Sequence, residues 1–210
     1  MSEFIKLKGK KKMEKKETDY KKPEYEERIL DILDKGSLEK LLQELGATKI
    51  KERFKQRRYT YNTVDAEDQS KWIRVRTNGE QTTMCYKEKT STRIGGTGEI
   101  EFPVPDFEQA NSFLKHIGLP PKQYQENFRT QYLLDGVEID IDEWPLIPAY
   151  IEIEGKNEQE VIDTINKLGL QNHRRTTKSP EVIYKDYYEI DIMEISDLRF
   201  PDSNKEQEQK

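Results

Sequence analysis

The sequence predicts an α+β fold: an antiparallel sheet, charged on one face and apolar on the other, with helices packed on the apolar side. Three observations predict it. Six stretches, 24–30, 72–76, 99–102, 127–132, 137–142 and 150–154, alternate charged and apolar residues with the period of two that a strand imposes. Their polar faces are not the Lys/Thr/Ser mixture of an ordinary wet sheet, but acids in pairs or bases in pairs. Three amphipathic helical segments are at hand to cover the apolar faces. If those helices pack outside, the charges look inward, and a sheet closed on itself encloses a barrel lined with Glu, Asp, Arg and Lys. A flat, solvated sheet satisfies the same periodicity, which does not choose between the two.

The first strand spans 24–33 and opens on Glu24-Tyr25-Glu26-Glu27-Arg28. It sets Glu24, Glu26 and Arg28 on one side and Tyr25, Glu27 and Ile29 on the other. Two carboxylates and a guanidinium in a row suit a metal-and-phosphate surface, because hard cations take oxygen ligands and a guanidinium forks onto phosphate. A charged edge strand facing water fits the same residues. Gly36-Ser37 then reads as a break and N-cap, before a helical stripe of Leu38, Leu41, Leu42 and Leu45 that stops at Gly46. Residues 49–61 mix aromatic and basic residues as a long strand, and 62–70 is a polar loop. Lys71 to Thr77 is a strand with Trp72, Arg74 and Arg76 on one face and Ile73 and Val75 on the other. Asn78-Gly79 turns it back into 81–88, which carries Thr83, Cys85 and Lys87 on one face. The Gly95-Gly96-Thr97-Gly98 stretch lacks the spacing and flanking elements of a phosphate-binding P-loop and reads as a mobile loop.

Glu99 to Val104 repeats the opening theme, with Glu99 and Glu101 opposite Ile100 and Phe102. Asp106 caps a helix bearing Phe107, Ala110, Phe113, Leu114 and Ile117. The strand 124–134 turns Asn127, Arg129 and Gln131 one way, and Asp135-Gly136 leads it into Val137 to Asp142, where Glu138, Asp140 and Asp142 alternate with β-branched residues. Tyr150 to Glu154 puts Glu152 and Glu154 on one face. Asn157 caps a third helix with Val161, Ile162, Ile165 and Leu168; Ser179-Pro180 opens a further helix to residue 188; Ile190 to Ile195 reads as a last strand.

The chain has 210 residues, 37% charged and 33% apolar, with a formal net charge of −5. Residues 1–22 carry nine Lys against four acids and read as a flexible basic arm; 23–200 reads as one domain and 201–210 as a disordered polar tail. The body is net acidic, which argues against a nucleic-acid partner while leaving room for a local basic channel. The lone Cys85 cannot form an internal disulfide and lacks the partner pattern of a nucleophile, so a half-buried strand cysteine is expected. No apolar run is long enough for a membrane and no secretory h-region is found, so the expected location is the cytoplasm.

A charged interior is costly unless water, metal and an anionic ligand fill it. Mixed signs in one cavity suit a polyphosphate with divalent cations, bases holding phosphate oxygens and carboxylates holding metal.

These residues resemble the CYTH superfamily, the triphosphate tunnel metalloenzymes. Glu24-x-Glu26-x-Arg28 is similar to its ExExK signature, Trp72-Ile-Arg-Val-Arg76 to its L-R-x-R strand, Tyr86-Lys87-Glu88 to its strand ending in Lys, Glu99-x-Glu101 to the acidic strand that follows, and Tyr150-Ile-Glu-Ile-Glu154 to its closing F-x-E-x-E strand; Arg129 falls on a basic strand and Asp140 and Asp142 on the D-strand. Order and spacing agree from about residue 23 to residue 170. The resemblance implies a closed eight-stranded antiparallel β-barrel with helices outside, and chemistry on a small-molecule triphosphate that depends on Mg²⁺ or Mn²⁺. It implies that Glu24, Glu26 and Glu154 are catalytic and bind metal with Glu152, that Arg28, Arg74, Arg76, Lys87 and Arg129 hold the triphosphate, and that Glu99, Glu101, Asp140, Asp142 and Glu152 line the tunnel. Members are often homodimers; no interface signal stands in this sequence. Three departures are visible. Arg28 replaces the signature Lys and positions rather than transfers protons; Lys21-Lys22-Pro23 stands where some class IV cyclases have His-Phe; and Arg58 replaces a carboxylate often found on the second strand.

Three functions follow from the resemblance. A phosphohydrolase would have water attack the terminal phosphorus of tripolyphosphate or of a nucleoside or thiamine triphosphate. A class IV adenylyl cyclase would have the ribose 3′-hydroxyl of ATP attack the α-phosphorus, giving cyclic AMP and pyrophosphate. A binding module would hold a phosphorylated ligand without turnover. Hydrolysis is favoured because it needs no nucleobase contacts.

Overall fold

The computed structural model describes residues 25–68, 70–89 and 97–201. Its elements are, in order, β1 (Tyr25–Ile32), α1 (Lys35–Glu44), β2 (Thr48–Asn62), β3 (Lys71–Thr77), β4 (Thr82–Lys89), β5 (Thr97–Val104), α2 (Phe107–His116), β6 (Gln123–Leu134), β7 (Val137–Glu143), β8 (Ala149–Gly155), α3 (Glu158–Lys167), β9 (Arg175–Thr176), α4 (Pro180–Tyr188), a 3₁₀ turn (Ile192–Glu194) and β10 (Asp197–Leu198).

Local chemistry explains most boundaries. The Asp106 and Asn157 side chains accept hydrogen bonds from the backbone of Gln109 and Glu160, capping α2 and α3 as the sequence predicts. Helix α1 begins earlier than Gly36-Ser37 suggests: Asp34 is its cap, accepting from both the amide and the hydroxyl of Ser37. Between β6 and β7, Asp135 and Gly136 both take positive φ, as a tight two-residue hairpin requires. The stretch Ile190 to Ile195 is not a strand. It coils through the 3₁₀ turn, and pairing begins two residues later, where β10 runs parallel to β6.

The strand order is β5-β4-β3-β2-β6-β7-β8-β1-β9, with β10 on the side of β6. All ten strands join one sheet, but it does not close. The expected eight-stranded barrel is therefore corrected to an open sheet. Closure needs β1 against β5, and β1 is engaged on both sides: β8 pairs along one edge, and Arg28 and Ile29 pair with Thr176 and Arg175 of β9 along the other. Glu27 fastens β9 by accepting from Nε and Nη2 of Arg175 at 2.9 and 2.7 Å. Beyond Ile29 the β1 ladder shifts register, and Asp31 takes a positive φ.

The sheet is nonetheless strongly curled. Glu26 on β1 and Lys87 on β4 have five strands between them in the order, yet the Lys87 ammonium stabilises the Glu26 carboxylate through space. In a flat sheet at about 4.8 Å per strand they would stand roughly 29 Å apart. The molecule is an open-sided trough.

Helices cover its convex face. Leu38 and Leu42 of α1 and Val161 and Ile165 of α3 pack on Ile29, Ile139, Ile141, Ile151 and Ile153, all buried. Phe107 and Leu114 of α2 pack on Tyr61 and Val75. The C-terminal segment does something else. Leu30 and Tyr150 share strand faces with Arg28 and Glu152, and they pack with Trp144, Ile183, Tyr184, Ile192 and Leu198. The segment from α4 to β10 therefore fills one end of the concave side. Gln123 ties it down, its amide donating to the carbonyls of Ile192 at 2.5 Å and Ile195 at 2.7 Å.

Candidate functional site

Strand register assembles the site. Across β1, β8 and β7, Glu26 stands beside Glu154, and Glu154 beside Glu138; one step along, Arg28, Glu152 and Asp140 form the next row. Asp142 faces Arg129 across β7 and β6. On the other side, Arg58 of β2 is the partner of Arg76, Arg74 of Cys85, Cys85 of Glu101, and Lys87 of Glu99. The concave face thus has an acid-rich lobe on β1, β8 and β7, and a base-rich lobe on β2, β3 and β4.

In the acid-rich lobe Arg129 is the hub. It forks onto Asp142 at 2.8 and 2.6 Å, bonds Asp140, and reaches Glu152 at 3.4 Å. Arg28 meets Glu152 at 2.5 Å and Glu26 at 3.0 Å. Burial alone would raise Glu152, but Arg28 and Arg129 outweigh it and hold the carboxyl at about 2. Glu26 goes the other way: burial, then the charge of Glu152, push it up. Asp140 is pushed up to about 7 by burial, against the pull of Arg129.

In the base-rich lobe Arg74 pairs with Glu101 at 3.0 Å and Arg76 with the same carboxylate at 3.6 Å, while Lys87 holds Glu99 at 2.7 Å. Glu99 sits at about 2 because Lys87, Cys85 and Arg74 overcome its burial. Arg76 falls to about 10 under the charge of Arg74 and its own burial.

Every predicted site residue among those described, Glu26, Arg28, Arg74, Arg76, Lys87, Glu99, Glu101, Arg129, Asp140, Asp142, Glu152 and Glu154, lies on this one face. Glu24 lies outside the described residues. Arg58 was missed as a site residue. The signal available was its register opposite Arg76, obscured because β2 shifts register twice before Phe54.

Cys85 is fully buried rather than half-buried, and its thiol donates to Glu99 at 3.0 Å. Burial pushes the thiol up to about 12. Iodoacetamide at pH 8 should therefore leave Cys85 unmodified in the folded protein and alkylate it in urea, read by intact mass; rapid alkylation of the native state would contradict this environment.

Two groups of ligand-type atoms lie within 4.8 Å of one another: Glu26, Glu152 and Glu154, and Cys85, Glu99 and Glu101. The first fits a divalent cation well. It is all carboxylate oxygen, and Glu26 and Glu154 are like charges paired across strands, an arrangement a cation relieves. The second fits poorly, because its carboxylates are paired with Lys87, Arg74 and Arg76 and its thiol is held protonated.

The CYTH domain model matches residues 22–182. The chain belongs to the CYTH family. Similar solved structures include a conserved hypothetical protein from Pyrococcus furiosus (TM-score 0.64, 18% identity, 75% of this chain and 97% of that one). A Vibrio parahaemolyticus protein described as a "putative adenylate cyclase" has a TM-score of 0.64 at 13% identity over 77% of this chain and 98% of that one. A Hippeastrum protein described as a "putative adenylyl cyclase" with a dominant triphosphatase activity has a TM-score of 0.51 at 16% identity over 78% and 94%. At these identities the likeness is one of fold. No curated protein matches. Among the described residues, no helix of this CYTH chain is long and apolar enough to cross a membrane.

Proposed function

We propose that this CYTH protein is a divalent-metal-dependent phosphohydrolase acting on a triphosphate, whether inorganic tripolyphosphate or a nucleoside or thiamine triphosphate. One observation carries the reading: a three-carboxylate cluster of Glu26, Glu152 and Glu154 shares a concave face with Arg28, Arg74, Arg76, Lys87 and Arg129. Family enzymes are triphosphatases or adenylyl cyclases, and the Hippeastrum neighbour, with its dominant triphosphatase activity, supports hydrolysis.

Glu26, Glu152 and Glu154 would hold Mg²⁺ or Mn²⁺, with Glu24 beside them in sequence. When bound, such an ion neutralises phosphate oxygens and lowers the pKa of water. The rest falls to this chain's own groups. Arg74, Arg76 and Lys87 draw the phosphates along the base-rich lobe and spread their charge. Arg28, held by Glu152 and Glu26, adds a guanidinium within the acid-rich lobe. The water oxygen bonds the terminal phosphorus, the bridging P–O bond breaks, the diphosphate leaves against the guanidiniums, and a carboxylate of the acid-rich lobe receives the proton. Glu99, Glu101, Asp140 and Asp142 keep the cations in place through the ion pairs described above.

The test is product analysis after incubation with tripolyphosphate and, separately, ATP, with Mg²⁺, with Mn²⁺ and with EDTA. Orthophosphate release that EDTA stops is the expected result. Cyclic AMP with pyrophosphate would make the protein a cyclase. Binding without product would make it a phosphate-holding module.

A further inference from the structure

Arg58 takes no part in the scheme above, and its surroundings ask for an anion. It is 7% exposed, and its register partner across β2 and β3 is another base, the half-buried Arg76. Like charges directly opposite one another in a sheet are destabilising. Its partners among the described residues are neutral amides: the guanidinium donates to Gln56 at 3.1 Å and to Asn127. Asn127 in turn donates to Asp142 at 3.0 Å, so that carboxylate acts on Arg58 through charge from one residue away. The Arg58 Nε is buried with no acceptor. The guanidinium lies 4.7 Å from the ring centroid of Trp144, and the indole Nε1 there is also buried with no acceptor. Burial, then the charges of Arg76 and Arg74, push Arg58 down to about 9. A buried base facing a second base, with one orphaned donor of its own and another on the indole it stacks on, gains stability when an oxyanion completes it.

The position limits which anion. Trp144 belongs to the apolar cluster through which the C-terminal segment fills this end of the trough, edge-on to Tyr184 at 6.4 Å. Gln56, Asn127 and Trp144 are each less than a tenth exposed. A phosphoryl group with unesterified oxygens matches these donors in charge and in accepting hydrogen bonds, which an uncharged organic group does not.

We propose that Arg58 and the Trp144 indole N–H form an additional anion subsite at the filled end of the trough, which takes the free terminal phosphoryl group of the substrate. The subsite rests on the triphosphate reading of the trough and sharpens it: the substrate binds phosphate-end inward, with any organic group toward the mouth.

Isothermal titration of inorganic tripolyphosphate in EDTA, without turnover, tests it. Arg58→Gln should weaken binding about 10- to 100-fold, the size expected for charge-assisted hydrogen bonds. Arg58→Lys should fall between the two, and Trp144→Phe, which keeps the ring and loses the donor, should weaken binding several-fold. Arg58→Gln relieves the repulsion with Arg76 but also removes the donor to the buried Gln56 and Asn127, so its ligand-free melting temperature is read alongside to separate lost affinity from lost fold. Unchanged affinity in Arg58→Gln, or a lowered ligand-free melting temperature with affinity intact, would show Arg58 to be structural and overturn the subsite. Wild type that binds no tripolyphosphate also overturns it. Arg58-dependent binding in a protein that hydrolyses no triphosphate would uphold the subsite and remove the hydrolase reading. Hydrolysis with affinity indifferent to Arg58 would do the reverse.

Discussion

Replacing Glu26 by alanine should lower metal-dependent phosphate release by on the order of 10²–10³-fold, since a cation at a phosphoryl group supplies several kcal/mol and each 1.36 kcal/mol is tenfold. The same change should leave the metal-free protein as stable as wild type, or slightly more so. Glu26 stands beside Glu154 in the ladder, and burial and Glu152 already push its pKa up, so the fold gains little from its charge. Arg28 is not abandoned, because it keeps Glu152 at 2.5 Å. The stabilisation that Mn²⁺ confers on wild type by mass action should shrink in the variant. Activity assays and melting curves with and without Mn²⁺ read both effects. A variant that keeps the wild-type rate and the metal response would remove Glu26 from the site.

Arg129→Ala should have the opposite signature, a collapse of stability. Its guanidinium serves Asp140, Asp142 and Glu152, which are 3%, 1% and 9% exposed. Deleting one partner of a buried ion pair costs about 3–5 kcal/mol, because the remaining charge is neither paired nor hydrated. Arg129→Lys should rescue little, since an ammonium cannot reproduce the fork onto Asp142. Urea midpoints measure both; a loss below about 1 kcal/mol, the worth of a surface pair, would contradict the hub. Acid probes the same network. Glu152 and Glu99 titrate at about 2 in the folded protein, against an ordinary 4.5. Their contribution is complete above about pH 4.5 and is lost as pH falls through about 2, so the urea midpoint should drop across that window.

The charged concave face was legible because period-two alternation survives in the sequence wherever a strand has two unlike faces. Glu26, Arg28, Arg74, Arg76, Lys87, Glu99, Glu101, Arg129, Asp140, Asp142, Glu152 and Glu154 all follow from that phase. What failed depended on pairing, which alternation does not encode. Arg58 matters because of Arg76 across the ladder, and the register shifts before Phe54 hide that phase. Closure failed because β9 is two residues long, too short for any periodicity, yet occupies the edge of β1. Leu30 and Tyr150 carried an unread signal: apolar residues in phase with Arg28 and Glu152 mean that something apolar covers that end.

The rim of β5, which no strand among the described residues pairs, has a kinetic consequence. In a closed cylinder, a polyanion must thread in from an end, or ladder hydrogen bonds must break to admit it. Here, among the described residues, β5 ends the sheet with Ile100 and Phe102 42% and 46% exposed on its far face, and Glu99 and Glu101 turned to the concave side. A ligand can arrive sideways over that rim and leave by the same route with the sheet intact. Exchange is then governed by how fast ion pairs such as Lys87–Glu99 and Arg74–Glu101 hand their cations to phosphate and take them back. Residence time should shorten with ionic strength, as for any contact made of partly solvated charges.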